Sequence, residues 1–502
     1  MGSNGPPTAS IHVLDDDSLL HVFFVYRPFL LGEDQDDNAR LWGGRANWAR
    51  GRWWYKLAHV CQRWRNVILG SASYLDISLV CAIGTPVADM LAHSPPLPLF
   101  VDYFGTVHIT TDDEEGMILA LKQRDRVCRV RLKLPITSLQ RSIVVIEEEY
   151  PILECLIIEV PAEGESTVLR FPETLQAPHL RHLRLCGFAL PIGSRLLTTA
   201  VGLVTLSLVM VHPSTYFHPN TLHQWISLMP HLETLAIYFT FSIPNRDVER
   251  QFTHTPIIAP VTLPNLRHLR FYGVSTYLEA LVHRIATPRL EKLQVEFFNQ
   301  LTFFVPRLLQ LMKTAENLRF HSADLMFYEN LVMATIYPHG HSGAVDIYAS
   351  EIRVFCWHLD WQVSSMVQIF NSLGQILSAV EHLTLVHHVH SRSSEEHNQV
   401  DRTEWWRLLS PFGKVKTLRI PHGLVEELSR CLRLEDGELP LELLPGLQEL
   451  TYSGSRDTGD SFTSFIDARR NAGRPVALVR YRPDYVTGLF PLYLLTQPGP
   501  SS

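Results

Sequence analysis

The sequence offers no paired-cysteine motif. Its seven cysteines, at 61, 81, 128, 155, 186, 356 and 431, are scattered and odd in number, with no C-x-x-C spacing. That speaks against a secreted disulfide framework and suits a reducing cytosol or nucleus. Long apolar runs are also missing: stretches such as 203–211 fall well short of the roughly 20 residues that span a bilayer. Residues 1–10 have no basic start and no apolar segment, so they read as a tail and not as a secretory signal. Charged residues make up only 19%, and a formal net charge of −7 gives no reason to expect nucleic acid as a partner. There is no Gly-rich phosphate loop after a strand and no H-E-x-x-H. The expectation is a cytoplasmic or nuclear protein with no cofactor, no metal and no membrane contact. With 46% hydrophobic residues it must fold.

What the sequence does have is a phrase, Leu-x-x-Leu-x-Leu or an aliphatic variant, that keeps returning. The cleanest copies are Leu180/Leu183/Leu185, Leu232/Leu235/Ile237, Leu266/Leu269/Phe271 and Leu290/Leu293/Val295. Looser copies begin at Val127, Leu153, Leu203, Ala315, Val380, Val415 and Leu447. Most are about 23 to 35 residues apart, the length of a repeat carrying one strand and one helix or turn. Such a unit cannot bury its own apolar face, so neighbours must stack. Helical patterns stand between the copies, at 221–229, 277–286, 305–313 and 405–409, and a last helix at 462–471 precedes a strand at 476–481. The fold class expected is α/β: a small helical module at 11–75, then an irregular leucine-rich-repeat-like solenoid over 76–490, parallel strands concave and helices convex, with a tail at 491–502.

The N-terminal module reads as two helices. Asp15, Asp16 and Asp17 provide caps for the first, in which Leu19 or Leu20, Phe23 and Tyr26 recur at helical spacing before Pro28. Residues 31–51, glycine-rich and acidic, read as an insertion. The second helix carries Trp54, Leu57, Cys61 and Trp64 on one side and ends near Gly70. A strand is expected around 75–80, a helix at 87–93 and a strand at 99–103.

Few constellations carry chemistry. Strand side chains alternate, so the residue between the last two aliphatics of each phrase points away from the core. Along the array this position reads Arg131, Ile157, Arg184, Ser207, Ala236, Arg270, Gln294, Arg319, Arg353, Thr384, Arg419 and Thr451, of which half are arginine. Guanidinium groups bind carboxylates and phosphates bidentately, so Arg184, Arg270, Arg319, Arg353 and Arg419 are candidate contacts to an acidic substrate. The alternative is that they pair with Glu233, Glu291 and Glu449 nearby. Gly340-His341-Ser342-Gly343 approaches a G-x-S-x-G elbow, but Ala344 stands where the last glycine belongs. His387, His388 and His390, with Glu395, Glu396 and His397 close by, read as a solvated loop before they read as metal ligands. No catalytic constellation emerges.

Residues 11–75 resemble an F-box. The matching residues are Leu14 through Leu20, Val22 and Phe23, then Leu57, Ala58, Val60, Cys61, Gln62, Arg63, Trp64 and Arg65, which stand where that family has apolar-x-x-Val-Cys-x-x-Trp-Arg. Ser71 to Leu79 suits the strand by which the family leaves the F-box, and Pro95 to Leu99 its opening of the repeats. The combination looks like the F-box proteins of mushroom-forming fungi. The resemblance implies a substrate receptor of a Skp–cullin–F-box ubiquitin ligase, with Leu14, Leu19, Leu20, Phe23, Leu57, Val60, Cys61 and Trp64 on the Skp-type adaptor and the repeats on a protein substrate. A cap that closes the end of the array, or a scaffold outside any ligase, is the competing expectation.

Overall fold

A computed structural model of the chain describes residues 14–26, 53–104, 109–161, 169–191, 193–211, 217–239, 260–298, 300, 302–318, 320–338, 350–388, 400–420, 423–433, 442–453 and 462–480. Among them lie 14 helices and a large, mostly parallel sheet, so the class is α/β. None of these helices is long and apolar enough to cross a membrane. The chain divides into two compact units, Met1–Arg319 with Ser342–Ile352, and Phe320–His341 with Arg353–Ser502. The stretch 76–490, read from sequence as one array, is therefore split near 320.

In the first unit nine strands follow one another in sequence order, each parallel to the next: Leu79–Ala82, Leu99–Tyr103, Val127–Lys133, Cys155–Glu159, His182–Cys186, Thr205–Val211, Thr234–Phe239, His268–Gly273 and Lys292–Phe297. The repeated phrase sets the register. Leu183, Leu206, Leu235, Leu269 and Leu293 are successive partners, and so are Leu185, Leu208, Ile237, Phe271 and Val295. All ten are buried, so a slip by one residue would turn every leucine outward. Each buried side chain of this size contributes roughly 1.5–3 kcal/mol. Helices supply the other half of this core: Tyr277, on Ser275–Val282, meets the Phe239 ring at 4.8 Å.

A local device opens the units. The first aliphatic of the phrase donates its backbone N–H three residues back, Leu180 to Ala177, Leu232 to Met229, Leu266 to Leu263 and Leu290 to Thr287, at 3.1 to 3.3 Å. Pro178, Pro230, Pro264 and Pro288 stand second in those turns. There the proline ring's φ near −65° favours the turn, and at Pro230 the missing N–H also follows the end of helix Pro219–Ser227. Repeats are also tied together: the Glu279 carboxylate accepts from Arg307 N at 2.8 Å and Leu308 N at 3.0 Å, satisfying the start of helix Pro306–Thr314. Burial raises the pKa of this carboxyl. Glu279→Ala should cost about 1 kcal/mol, read as a lower urea midpoint.

The second unit pairs Ser322–Tyr328 antiparallel with Leu331–Tyr337, then continues in parallel through His382–His388, Thr417–Ile420, Glu449–Tyr452 and Ala477–Arg480. Two expectations need correction here. The copy at Ala315 is not a strand; Ala315 and Leu318 are buried in a turn, and the strand starts at Ser322. The hairpin and the 19-residue helix Leu359–Leu377 were not foreseen.

The helix expected from Trp54 to Gly70 is two, Trp53–Ala58 and Gln62–Gly70. The break falls at Cys61, extended at φ −159° and ψ 168°, and the Arg65 guanidinium takes up the freed Ala58 carbonyl at 3.1 Å. The first strand begins at Leu79, later than expected.

Candidate functional site

Position five of the phrase forms one ladder in the first unit. Asp102, Arg131, Ile157, Arg184, Ser207, Ala236, Arg270 and Gln294 are consecutive register partners on the sheet face opposite the leucines. In the second unit Asp324, Thr384, Arg419 and Thr451 do the same. Most of the first ladder is sheltered: Arg131 is 5% exposed and Arg270 7%. Flanking rows cover it, including Tyr238 and Tyr272, whose rings lie 6.4 Å apart, and Phe298, 4.9 Å from Tyr272.

The arginines are not equivalent. Arg131 faces Asp102 at 3.5 Å and lies over the Phe104 ring at 4.9 Å. Burial raises the Asp102 pKa, and Arg131 only partly offsets it. Arg184 donates to Glu159 at 2.7 Å, and Lys133 approaches the same carboxylate at 3.6 Å. The carboxylates engaged are thus Asp102 and Glu159, not Glu233, Glu291 and Glu449; Glu291 pairs with Arg267 and Glu449 accepts from Thr451. Arg270 differs from both in having no carboxylate partner among the described residues, and its buried Nε, like that of Arg131, makes no hydrogen bond there. A sheltered, unpaired cation is costly unless an anion arrives, which makes Arg270 the best-placed of the candidate arginines for a carboxylate or phosphate. Arg353 is half-buried on Ser350–Phe355, and Arg419 is exposed. Arg319 lies outside the described residues.

The helical module is the second candidate surface. Leu19 and Phe23 are fully buried, Phe23 edge-on to Trp64 at 4.9 Å, and Trp54 is buried as well. Arg63 locks the helices together, donating to Asp16 at 2.9 Å and to the Leu14 carbonyl at 2.6 Å. Asp15 caps the first helix through Ser18 N at 2.7 Å, and that bond holds its pKa low. Of the residues expected to touch an adaptor, Leu19 and Phe23 are therefore corrected to internal packing. Leu20, Leu57, Cys61 and Trp64 are half-buried, and Leu14 and Val60 are exposed. The stripe turned outward is Val22, Val25 and Tyr26, at 44%, 61% and 59% exposure. Its i, i+3, i+4 spacing was readable in the sequence, but Leu19 and Phe23 have the same spacing on the other side of the same helix.

Among the described residues the remaining motifs gather no site. His388 stacks on Tyr328 at 4.9 Å and His387 sits against Gly423; Ser342, His390, Glu395, Glu396 and His397 lie outside the described residues. Burial pushes the Cys128, Cys186 and Cys356 thiols up to about 12 and Cys155 to about 11, leaving them protonated and poor nucleophiles. Among the described residues one group of side chains that could hold a metal ion was not foreseen: His321, Glu381 and His382 in the second unit. A scan against protein-family models returns no match, and no curated protein is found to be similar to this chain.

Proposed function

We propose that this chain is a substrate receptor of the F-box kind, whose N-terminal helices dock on a Skp-type adaptor of a cullin complex while the sheet, part of a leucine-rich-repeat-like solenoid, holds a protein substrate. The observation that carries the reading is the division of labour on helix Asp16–Tyr26. One side, Leu19 and Phe23, holds the module together; the other leaves Val22, Val25 and Tyr26 in solvent. Exposed aliphatic and aromatic stripes of this kind mark docking surfaces. The sheet supports the other half of the role, because it carries Arg270, whose Nε has no hydrogen-bond partner among the described residues and which suits an acidic group of the substrate.

The test is capture of a purified Skp-type adaptor by the full chain. Wild type should retain it, and Val22→Asp/Val25→Asp should lose at least about tenfold in affinity with an unchanged melting temperature, since both sites are exposed. Trp64→Ala is the poorer probe, because Trp64 packs on Phe23. A wild-type chain that ignores the adaptor would sink this reading. What then stands is an interaction scaffold without ligase, favoured by the burial of Leu19, Phe23 and Trp54, which already covers much of the apolar surface the module owns.

A further inference from the structure

In the second unit the chain enters strands Ser322–Tyr328 and His382–His388 side by side. The backbone N–H groups of Glu381 and His382 both donate to the His321 carbonyl, at 2.8 and 3.4 Å. That shared acceptor fixes where three side chains begin. The His321 and His382 rings meet edge to face with centroids 5.0 Å apart, and one ligand atom from each of His321, Glu381 and His382 lies within 4.8 Å of the other two. All three residues are half-buried. We propose that His321, Glu381 and His382 form a binding site for a borderline divalent transition-metal ion, zinc fitting best.

The donor set decides the class of ion. Two imidazoles and one carboxylate match zinc, and also cobalt or nickel, whereas calcium and magnesium call for oxygen-rich shells. Three protein ligands leave a fourth position to water. Ligand bonds of about 2.0–2.1 Å in a tetrahedron set donors roughly 3.4 Å apart, so these side chains need close by at most about 1.4 Å, within the reach of a χ rotation. A supporting contact is already present. His382 Nδ1 lies 2.6 Å from Thr417 Oγ1; with that nitrogen protonated, the bond orients the ring and leaves the Nε2 lone pair for an ion, as partners behind metal-bound histidines do. One contact opposes binding: Lys416 Nζ lies 2.7 Å from Glu381 Oε2 and must yield when an ion enters.

The fold contains its own control. His182 and Thr205 repeat the histidine–threonine pair at 3.2 Å on the first unit's sheet, with Arg181 in the place of Glu381 and Glu154 in the place of His321, and these side chains form no metal-holding group among the described residues. The site owes nothing to the adaptor reading and stands or falls separately.

Titration of the full chain with zinc, and with cobalt for its visible spectrum, tests the proposal. The expected result is a tight ion lost by about tenfold or more in His321→Ala and in His382→Ala, kept in His182→Ala, and bound several-fold tighter in Lys416→Met, where the competing ammonium is gone. The cobalt complex should show the intense bands of a low-coordinate site. Lys416→Met guards against the chance that histidine removal merely loosens the fold, because it must gain affinity. Zinc binding that is absent in the wild type, or equal in the wild type and in His321→Ala/His382→Ala, overturns the proposal.

Discussion

Asp102→Ala should destabilise the chain by about 3–5 kcal/mol, read as a fall in the urea midpoint at neutral pH. Asp102 and Arg131 are both sheltered, with side-chain exposures of 11% and 6%, and face each other at 3.5 Å. Removing the carboxylate takes away the ion-pair partner of a sheltered guanidinium. The pair as a whole contributes far less than that loss. The Asp102 pKa is raised, so the cost of burial outweighs the attraction of Arg131. Asp102→Leu/Arg131→Met should therefore be more stable than Asp102→Ala. The sign of the pH dependence follows. A carboxyl whose pKa is higher in the folded chain than its ordinary 3.8 binds its proton more readily when folded. Its contribution to stability thus grows as pH falls through the range just above 3.8, opposite to an ordinary paired carboxylate. Against Asp102→Asn, which cannot titrate, wild type should gain stability between neutral pH and that range. A relative loss would contradict the burial argument.

Phe239→Ala should cost about 3–5 kcal/mol by the same measurement. Phe239 is 2% exposed and meets the rings of Phe217 at 5.9 Å, Phe271 at 6.1 Å and Tyr277 at 4.8 Å, joining strands to helix in the middle of the first unit. Gly273 belongs to the same cluster. A Cβ there would come within 2.8 Å of the Phe239 ring and 2.9 Å of Phe271, so Gly273→Ala alone should cost about 1–3 kcal/mol through overpacking. The two changes should not add, because the methyl group partly fills the space the lost ring vacates. Strict additivity would mean that the two sites are not coupled through shared space.

Much of the first unit was legible because its signal is periodic. The phrase at Leu180, Leu203, Leu232, Leu266 and Leu290 leads into successive parallel strands, and the residues between the aliphatics fall in one register row, from Arg131 to Gln294. Helix Val87–His93 and strand Leu99–Tyr103 begin and end where the pattern indicates. The reading failed where periodicity was shared or borrowed. Trp54, Leu57, Cys61 and Trp64 keep helical spacing straight through a break, because spacing records only which side chains face inward and not whether the backbone between them is continuous. The Ala315 copy repeats the phrase but leads into the first unit's last turn, and an antiparallel hairpin follows it.

Alone, then, the chain's own order of residues determined the α/β class, the parallel succession of strands in the first unit and the row that carries the arginines, since each rests on alternation between near neighbours. Tertiary structure decided the rest. It gave Arg131 and Arg184 their carboxylates while leaving Arg270 without one among the described residues, chose which stripe of helix Asp16–Tyr26 is covered, and brought His321 to Glu381 and His382. Those outcomes depend on which strand lies next to which, and charge pairing, burial and ligand convergence act through space across distances that local spacing does not encode.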